Sequence, residues 1–186
     1  MAKPDILVPL AQGCEELEAV TITDLLTRAG FNVVTAGLDD QPVKASRGMV
    51  LVADTTMEKV MSKSFDLIVL PGGLPGADHL RENPLVQQKL KEMSEQGKYT
   101  AAICAAPMAL ASAGLLENRS VTSYPGALEK FKVAGMHYLE QPVVIDGKVV
   151  TSRGPGTAMD FALTLIELIA GKEKRDEVEG ALMRPH

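Results

Sequence analysis

Hydrophobic and polar positions alternate along this chain on two length scales, and the alternation predicts its elements. Short continuous apolar runs have the length and content of buried strands: "DILVPL" (Asp5–Leu10), "NVVTAG" (Asn32–Gly37), "DLIVL" (Asp66–Leu70) and "YTAAIC" (Tyr99–Cys104). Between them lie stretches with helical spacing. Over Glu15–Gly30 the residues Leu17, Val20, Leu25 and Ala29 approximate an apolar face, and Gly30 suits the helix end. "NPLVQQKLKEMSEQG" carries Pro84 near its first turn and Gly97 beyond its end. "AAPMALASAG" leaves Cys104 as a helix, Gly156–Gly171 is the strongest helical pattern, and "KEKRDEVEGALM" reads as a polar-faced terminal helix. "VKASRGMVLVAD" looks like a hairpin turning near Arg47 and Gly48. "VTSYPG" supplies strand material, and "PVVIDGKVVTS" supplies more, turning at Asp146 and Gly147.

Strands that alternate with helices imply a mainly parallel sheet with helices on both faces. No linker, internal repeat or low-complexity segment interrupts the pattern, so one doubly wound α/β domain is expected over residues 1–186. Ligands in such folds gather beyond the carboxyl ends of the strands. Three loops therefore belong together: "QGCEELE" after the first strand, "PGGLPGAD" after the Asp66–Leu70 run, and "CAAP" after the next.

Composition narrows the function classes. Lys+Arg 19 against Asp+Glu 24 leaves a net charge of −5, with no basic run to bind a nucleic-acid backbone. The opening "MAKPDILVPLAQGCEE" lacks a signal peptide's long apolar region, and no stretch approaches the ~18–20 apolar residues of a membrane span. Two cysteines, Cys14 and Cys104, make no disulfide framework. The expectation is a protein of the reducing cytoplasm with no membrane partner.

Cys104 stands at a strand-to-helix corner. It is either a small buried residue among alanines or a thiol shown to the unpaired amides of the next helix, which would hold it well below the ~8.5 of a free thiol. Glu15, Glu16 and Glu18 open a helix, where carboxylates stabilise through the dipole. Three acids in four residues exceed what capping needs, and Glu15 and Glu18 share a face that can reach the same crevice. "LPGGLPG" offers amides that suit an oxyanion, or is a plain tight turn. It matches neither the dinucleotide fingerprint nor a P-loop. His79, His137 and His186 lack metal-ligand spacing, and His79 reads as a surface helix residue. Cys14 reads as a packed loop residue, and Arg153 is placed to hold a carboxylate.

Together "GCEELEAVTITDLLTRAG", "VLPGG", "AAICAAP", "TSRGPGTAMDFAL" and "GKE" resemble the ThiJ/PfpI family, within it the Parkinsonism-associated DJ-one clade and its YajL-like bacterial members. The resemblance covers nearly the whole chain. It implies a flavodoxin-like sandwich and a homodimer packed through the first helix, with no metal or organic cofactor. Carried over by residue, it makes Cys104 the nucleophile and Glu18 the protonated carboxyl beside its sulfur. Gly73 and Ala105 become oxyanion-type amides, Glu15 and Arg47 line the pocket, and Arg28 lies near the dimer seam.

One departure changes the chemistry. Tyr124 occupies the place where human-type members of the clade carry a histidine. A phenol ionises too far above neutrality to replace imidazole as a base, which leaves Glu18 as the proton shuttle and Tyr124 as a pocket wall. Two functions follow from the resemblance. One is a cofactor-free deglycase or glyoxalase acting on methylglyoxal, glyoxal and their early adducts on protein or nucleotide groups. The alternative is an oxidative-stress sensor or redox-regulated chaperone in which Cys104 becomes a sulfinate. The family's protease branch pairs its cysteine with a following histidine, whereas Ala105 follows Cys104 here.

Overall fold

The computed structural model describes residues 3–184. Apolar runs along the chain become β1 (Asp5–Leu10), β2 (Asn32–Gly37), β6 (Leu67–Leu70), β7 (Tyr99–Ile103) and β11 (Val149–Ser152). With β5 (Thr55–Thr56) and β10 (Val143–Asp146) they form a seven-stranded sheet in the order β10-β11-β7-β6-β1-β2-β5. All neighbours are parallel except β10 and β11, a hairpin in which Asp146 pairs with Val149 across the turn at Gly147. The mainly parallel, doubly wound α/β architecture expected from the sequence is the one observed.

Strand periodicity splits the core in two. Ile6, Val8 and Leu10 of β1 face one way with Leu67 and Val69 of β6. There they meet Ile22 and Leu26 of α1 (Glu16–Arg28) and Phe161 and Leu165 of α6 (Ala158–Ala170). Leu7, Ile68 and Leu70 face the other way, against Leu90 and Met93 of α4 (Pro84–Glu95) and Leu110 of α5 (Pro107–Ser112). A buried strand shows both faces to helices, so its run is continuously apolar. α7 (Lys172–Ala181) packs back on α6, held by the ion pair of Arg184 with Asp160 at 2.8 Å.

Several expectations need correction. The apolar face assigned to the first helix is half wrong, because Leu17 is 50% and Val20 is 44% exposed. Its inward face instead carries Glu16, Glu18, Ala19, Ile22, Leu25 and Leu26. The hairpin near Arg47 is confirmed, but its strands β3 (Val43–Lys44) and β4 (Val50–Leu51) stand outside the main sheet. "VTSYPG" yields only Val121 to a strand: β8 (Ser120–Val121) pairs with β9 (His137–Tyr138) in a separate ribbon. α2 (Met57–Val60) and α3 (Gly76–Glu82) are too short to show a period.

Lys89 is fully buried on α4. Its Nζ donates to the carbonyls of Met61 (2.8 Å) and Lys63 (3.1 Å), just past α2, and to the Glu92 carboxylate (3.1 Å). Lys89→Met is expected to strand those carbonyls and to cost about 2–3 kcal/mol in urea unfolding. A change below about 0.5 kcal/mol would show that the pin is energetically idle.

Candidate active site

Three loops meet at the carboxyl end of the sheet, where β1 and β6 separate the two directions of winding. The Glu15 amide donates to the Gly72 carbonyl at 2.8 Å, tying the first loop to the glycine loop. Glu15 then caps α1 by accepting the Glu18 N–H at 3.0 Å. That cap fixes the first turn so that Glu18 points inward. Glu18 is fully buried, and its Oε2 accepts the Gly72 N–H at 2.8 Å. Its Oε1 is buried with no hydrogen-bond partner among the described residues, and the Cys104 thiol is the group beside the carboxyl that can serve it. Burial pushes Glu18 up to about 7, against the downward pull of the Gly72 amide and the thiol.

Cys104 follows β7 with φ of +62°, the left-handed region that costs a side-chain-bearing residue on the order of 1–2 kcal/mol. Its neighbours hold it there. The Cys104 N–H donates to Ser152 at 3.0 Å, and its carbonyl accepts the Tyr124 N–H at 2.8 Å. The resulting elbow aims the sulfur at Glu18 and at the backbone amides of Gly73 and Ala105. Gly73, at φ of +85°, turns the glycine loop so that its amide can point there.

The surroundings of Cys104 oppose the low thiol pKa expected from the sequence. Burial, and then the charge of Glu18, push Cys104 up to about 12 despite the Gly73 and Ala105 amides. The helix adds little, because α5 has six residues and begins only at Pro107. With Glu18 ionised, the thiol is neutral. The pair therefore carries a proton that can move between sulfur and carboxyl.

Gly72 is required by close approach. A Cβ there would lie 2.6 Å from the Cys104 Cβ and 2.9 Å from Glu18 Oε2. Gly72→Ala is expected to force the pair apart and to lower any Cys104-dependent turnover by about 10²-fold with the fold retained. Turnover within about threefold of wild type would show that the pair tolerates the wedge. The Gly-Gly dipeptide was the only signal of this in the sequence.

The remaining candidates are distributed around this pair. Glu16 is a clamp that sequence reasoning missed: its carboxylate accepts the N–H groups of Arg47 (2.9 Å) and Met49 (3.3 Å) and the Ser46 hydroxyl (3.2 Å). Burial opposes its charge, but these hydrogen bonds prevail and its pKa is lowered. Arg47 is thereby held through its backbone, with an exposed side chain, and is not brought to the sulfur by any hydrogen bond among the described residues. Glu15 serves α1 as its cap. Arg28, at the far end of α1, pairs with Asp24 at 2.7 Å. Tyr124 is 53% exposed, and its ring lies against Gly154. Cys14 is fully buried, and burial pushes it up to about 11, as suits a packing residue. His79 is exposed, with Nδ1 3.2 Å from the Gln12 carbonyl. No helix among the described residues is long and apolar enough to cross a membrane.

Comparison with known proteins shows which family carries this fold. The chain is 45% identical over 97% of its length to "Protein DJ-1 homolog A" of Arabidopsis thaliana, and spans about half (47%) of that longer relative. It is 39% identical to the "Glutathione-independent glyoxalase DJR-1.2" of Caenorhabditis elegans, covering 93% of this chain and 91% of the relative. The crystal structure of Drosophila melanogaster DJ-1beta superposes with a TM-score of 0.94 at 42% identity, over 100% of both chains. Residues 4–168, from β1 through most of α6 and so including both Glu18 and Cys104, match the DJ-1/PfpI family, and the chain belongs to that family.

Proposed function

We propose that the protein is a cofactor-free glyoxalase or deglycase whose nucleophile is Cys104 and whose proton shuttle is Glu18. The observation that carries this reading is the buried carboxyl–thiol pair, faced by the Gly73 and Ala105 amides. A name borne by a relative, glutathione-independent glyoxalase, supports the substrate class.

With a neutral thiol, attack on methylglyoxal is base-assisted. Sulfur bonds to the aldehyde carbon as its proton passes to the Glu18 carboxylate. The Gly73 and Ala105 amides stabilise the developing oxyanion, which then takes that proton to give a hemithioacetal. Glu18 next removes the C1 proton and returns it to C2, while the C1 hydroxyl proton moves to the C2 oxygen. C1 is thereby oxidised to a thioester and C2 reduced to an alcohol. Water cleaves the thioester, giving lactate and the free thiol. In an early adduct on a protein or nucleotide group C1 is already tetrahedral: Glu18 takes the C1 hydroxyl proton, the C1–N or C1–S bond breaks as that proton passes to the leaving amine or thiol, and the aldehyde so freed is attacked by Cys104.

A second copy of the chain is the proposed cover for the exposed apolar residues Leu17, Val20, Val50 and Val52, of which Val20 and Val52 share one hollow, with Arg28 on the same helix as Leu17 and Val20.

The base form of Glu18 sets the pH dependence. The kcat/KM for methylglyoxal in chelator-treated buffer is expected to rise with pH through about 7 and then level, as the shuttle ionises. A profile that is flat from acid to alkaline pH would assign proton transfer to another group.

A further inference from the structure

The proposed chemistry needs room for a three-carbon carbonyl, yet the cleft beside Cys104 is far larger. Its volume is about 530 Å³; Cys104 does not itself line it, but Ala105, whose amide faces the sulfur, and Tyr124, whose N–H meets the Cys104 carbonyl, do. That size falls within the ~300–1,000 Å³ of sites that bury whole ligands. Met108 and Phe131 give it an apolar wall, and Asp78, Arg81 and Lys130 charge its rim. Arg81 is already engaged by Asp78 (3.3 Å) and Glu82 (2.5 Å). Lys130 is exposed and makes no ion pair among the described residues, so it is the uncompensated charge of the cleft.

The neighbouring surface has the opposite sign. Past Pro125 and Gly126 lies a second hollow of about 310 Å³, whose charged residues are Glu129 and Glu140. An anion is attracted at Lys130 and repelled beyond it. This polarity favours an anionic group in the first cleft, several bonds from the adduct carbon that is released as an aldehyde beside Cys104.

We propose that this cleft is a carrier subsite, which holds the non-reacting part of a carbonyl adduct and selects, through Lys130, carriers bearing a carboxylate or a phosphate. The inference rests on the reading of Cys104 as the nucleophile for such adducts. Lys130 acts here on specificity and takes no part in the bond changes. The apolar wall contacts the carrier's stem, and the amine or thiol that leaves is the group seated nearest Ala105.

The test compares methylglyoxal hemithioacetals of matched thiols. N-acetylcysteine against its neutral amide reads a carboxylate, and phosphopantetheine against pantetheine reads a phosphate. At low ionic strength the anionic member of at least one pair is expected to have a kcat/KM roughly fivefold higher. The pair that shows the preference identifies the source of the anion. The ratio is expected to fall to about one in Lys130→Gln, to invert in Lys130→Glu, and to shrink with added salt. The same ratio should appear in calorimetric binding of S-(2-hydroxypropyl) thioethers of the four thiols, which contain no carbonyl. A ratio near one for both pairs, or one unchanged in Lys130→Gln, overturns the subsite. Absent turnover with the binding ratio intact would overturn only the reaction, and turnover with no ratio would overturn only the subsite.

Discussion

Cys104→Ser is expected to lower metal-free conversion of methylglyoxal to lactate by roughly 10³-fold or more. A serine hydroxyl is far less acidic than a thiol. Glu18, at about 7, can draw a proton from sulfur as it attacks but is too weak a base to generate an alkoxide. The replacement is close to isosteric and keeps a hydrogen-bond donor beside the carboxyl, so stability should change by less than about 1 kcal/mol. Lactate assays on both proteins, with thermal unfolding as a control for the fold, check this. Residual activity within about tenfold of wild type would remove Cys104 from the nucleophile's role.

Glu18→Gln separates catalysis from stability in opposite directions. Turnover is expected to fall by roughly 10²–10⁴, because an amide cannot carry the proton. Stability moves the other way as pH rises. The folded-state pKa of Glu18 lies above its ordinary value of 4.5, so the stability of the buried neutral carboxyl is complete below about 4.5 and is lost as pH rises through about 7. Between these limits the loss is about 3 kcal/mol, and glutamine, neutral throughout, escapes it. Urea unfolding at acid and alkaline pH should therefore show the gap shifting in favour of Glu18→Gln by that amount. A gap that does not move with pH would mean that Glu18 is not held near neutrality. A functional carboxyl that weakens its own fold is the trade expected of a site kept for chemistry.

The parts of the fold legible in the sequence were those where apolar content alone determines the element. β1 coincides with the run read from the sequence, since every residue after Asp5 is buried and no polar position can be misplaced; β2 also coincides, although only Ala36 and Gly37 of it are buried. α1 shows why the rest was hidden. Periodicity assumes that acids face water, yet Glu16 and Glu18 turn inward while Leu17 and Val20 turn out. The inward acids have particular partners, the amides of Arg47, Met49 and Gly72, which lie 31 to 54 residues away in sequence. Lys89 is hidden for the same reason, its acceptors being carbonyls 26 and 28 residues distant.

The site was legible as a meeting of loops rather than as an energy. The rule that loops at the carboxyl ends of a doubly wound sheet share one crevice grouped "QGCEELE", "PGGLPGAD" and "CAAP", and the structure brings Glu18, Gly73, Cys104 and Ala105 together. The thiol's pKa was misjudged because its two largest causes, burial and a neighbouring carboxylate, exist only in three dimensions. Tyr124, expected as a wall of the Cys104 pocket, stands more than half exposed on the cleft that Ala105 also lines. The large cleft itself, with Lys130 on its rim, left no trace in the spacing of motifs.

The most direct measurement is acid quenching of the wild-type protein during turnover of methylglyoxal in chelator, followed by peptide mass mapping. Attack by Cys104 and proton transfer by Glu18 predict one lactoyl group, as a thioester, on the peptide containing Cys104, absent from both Cys104→Ser and Glu18→Gln. Steady lactate formation with no acyl group on Cys104, or an acyl group undiminished in Glu18→Gln, would contradict the mechanism.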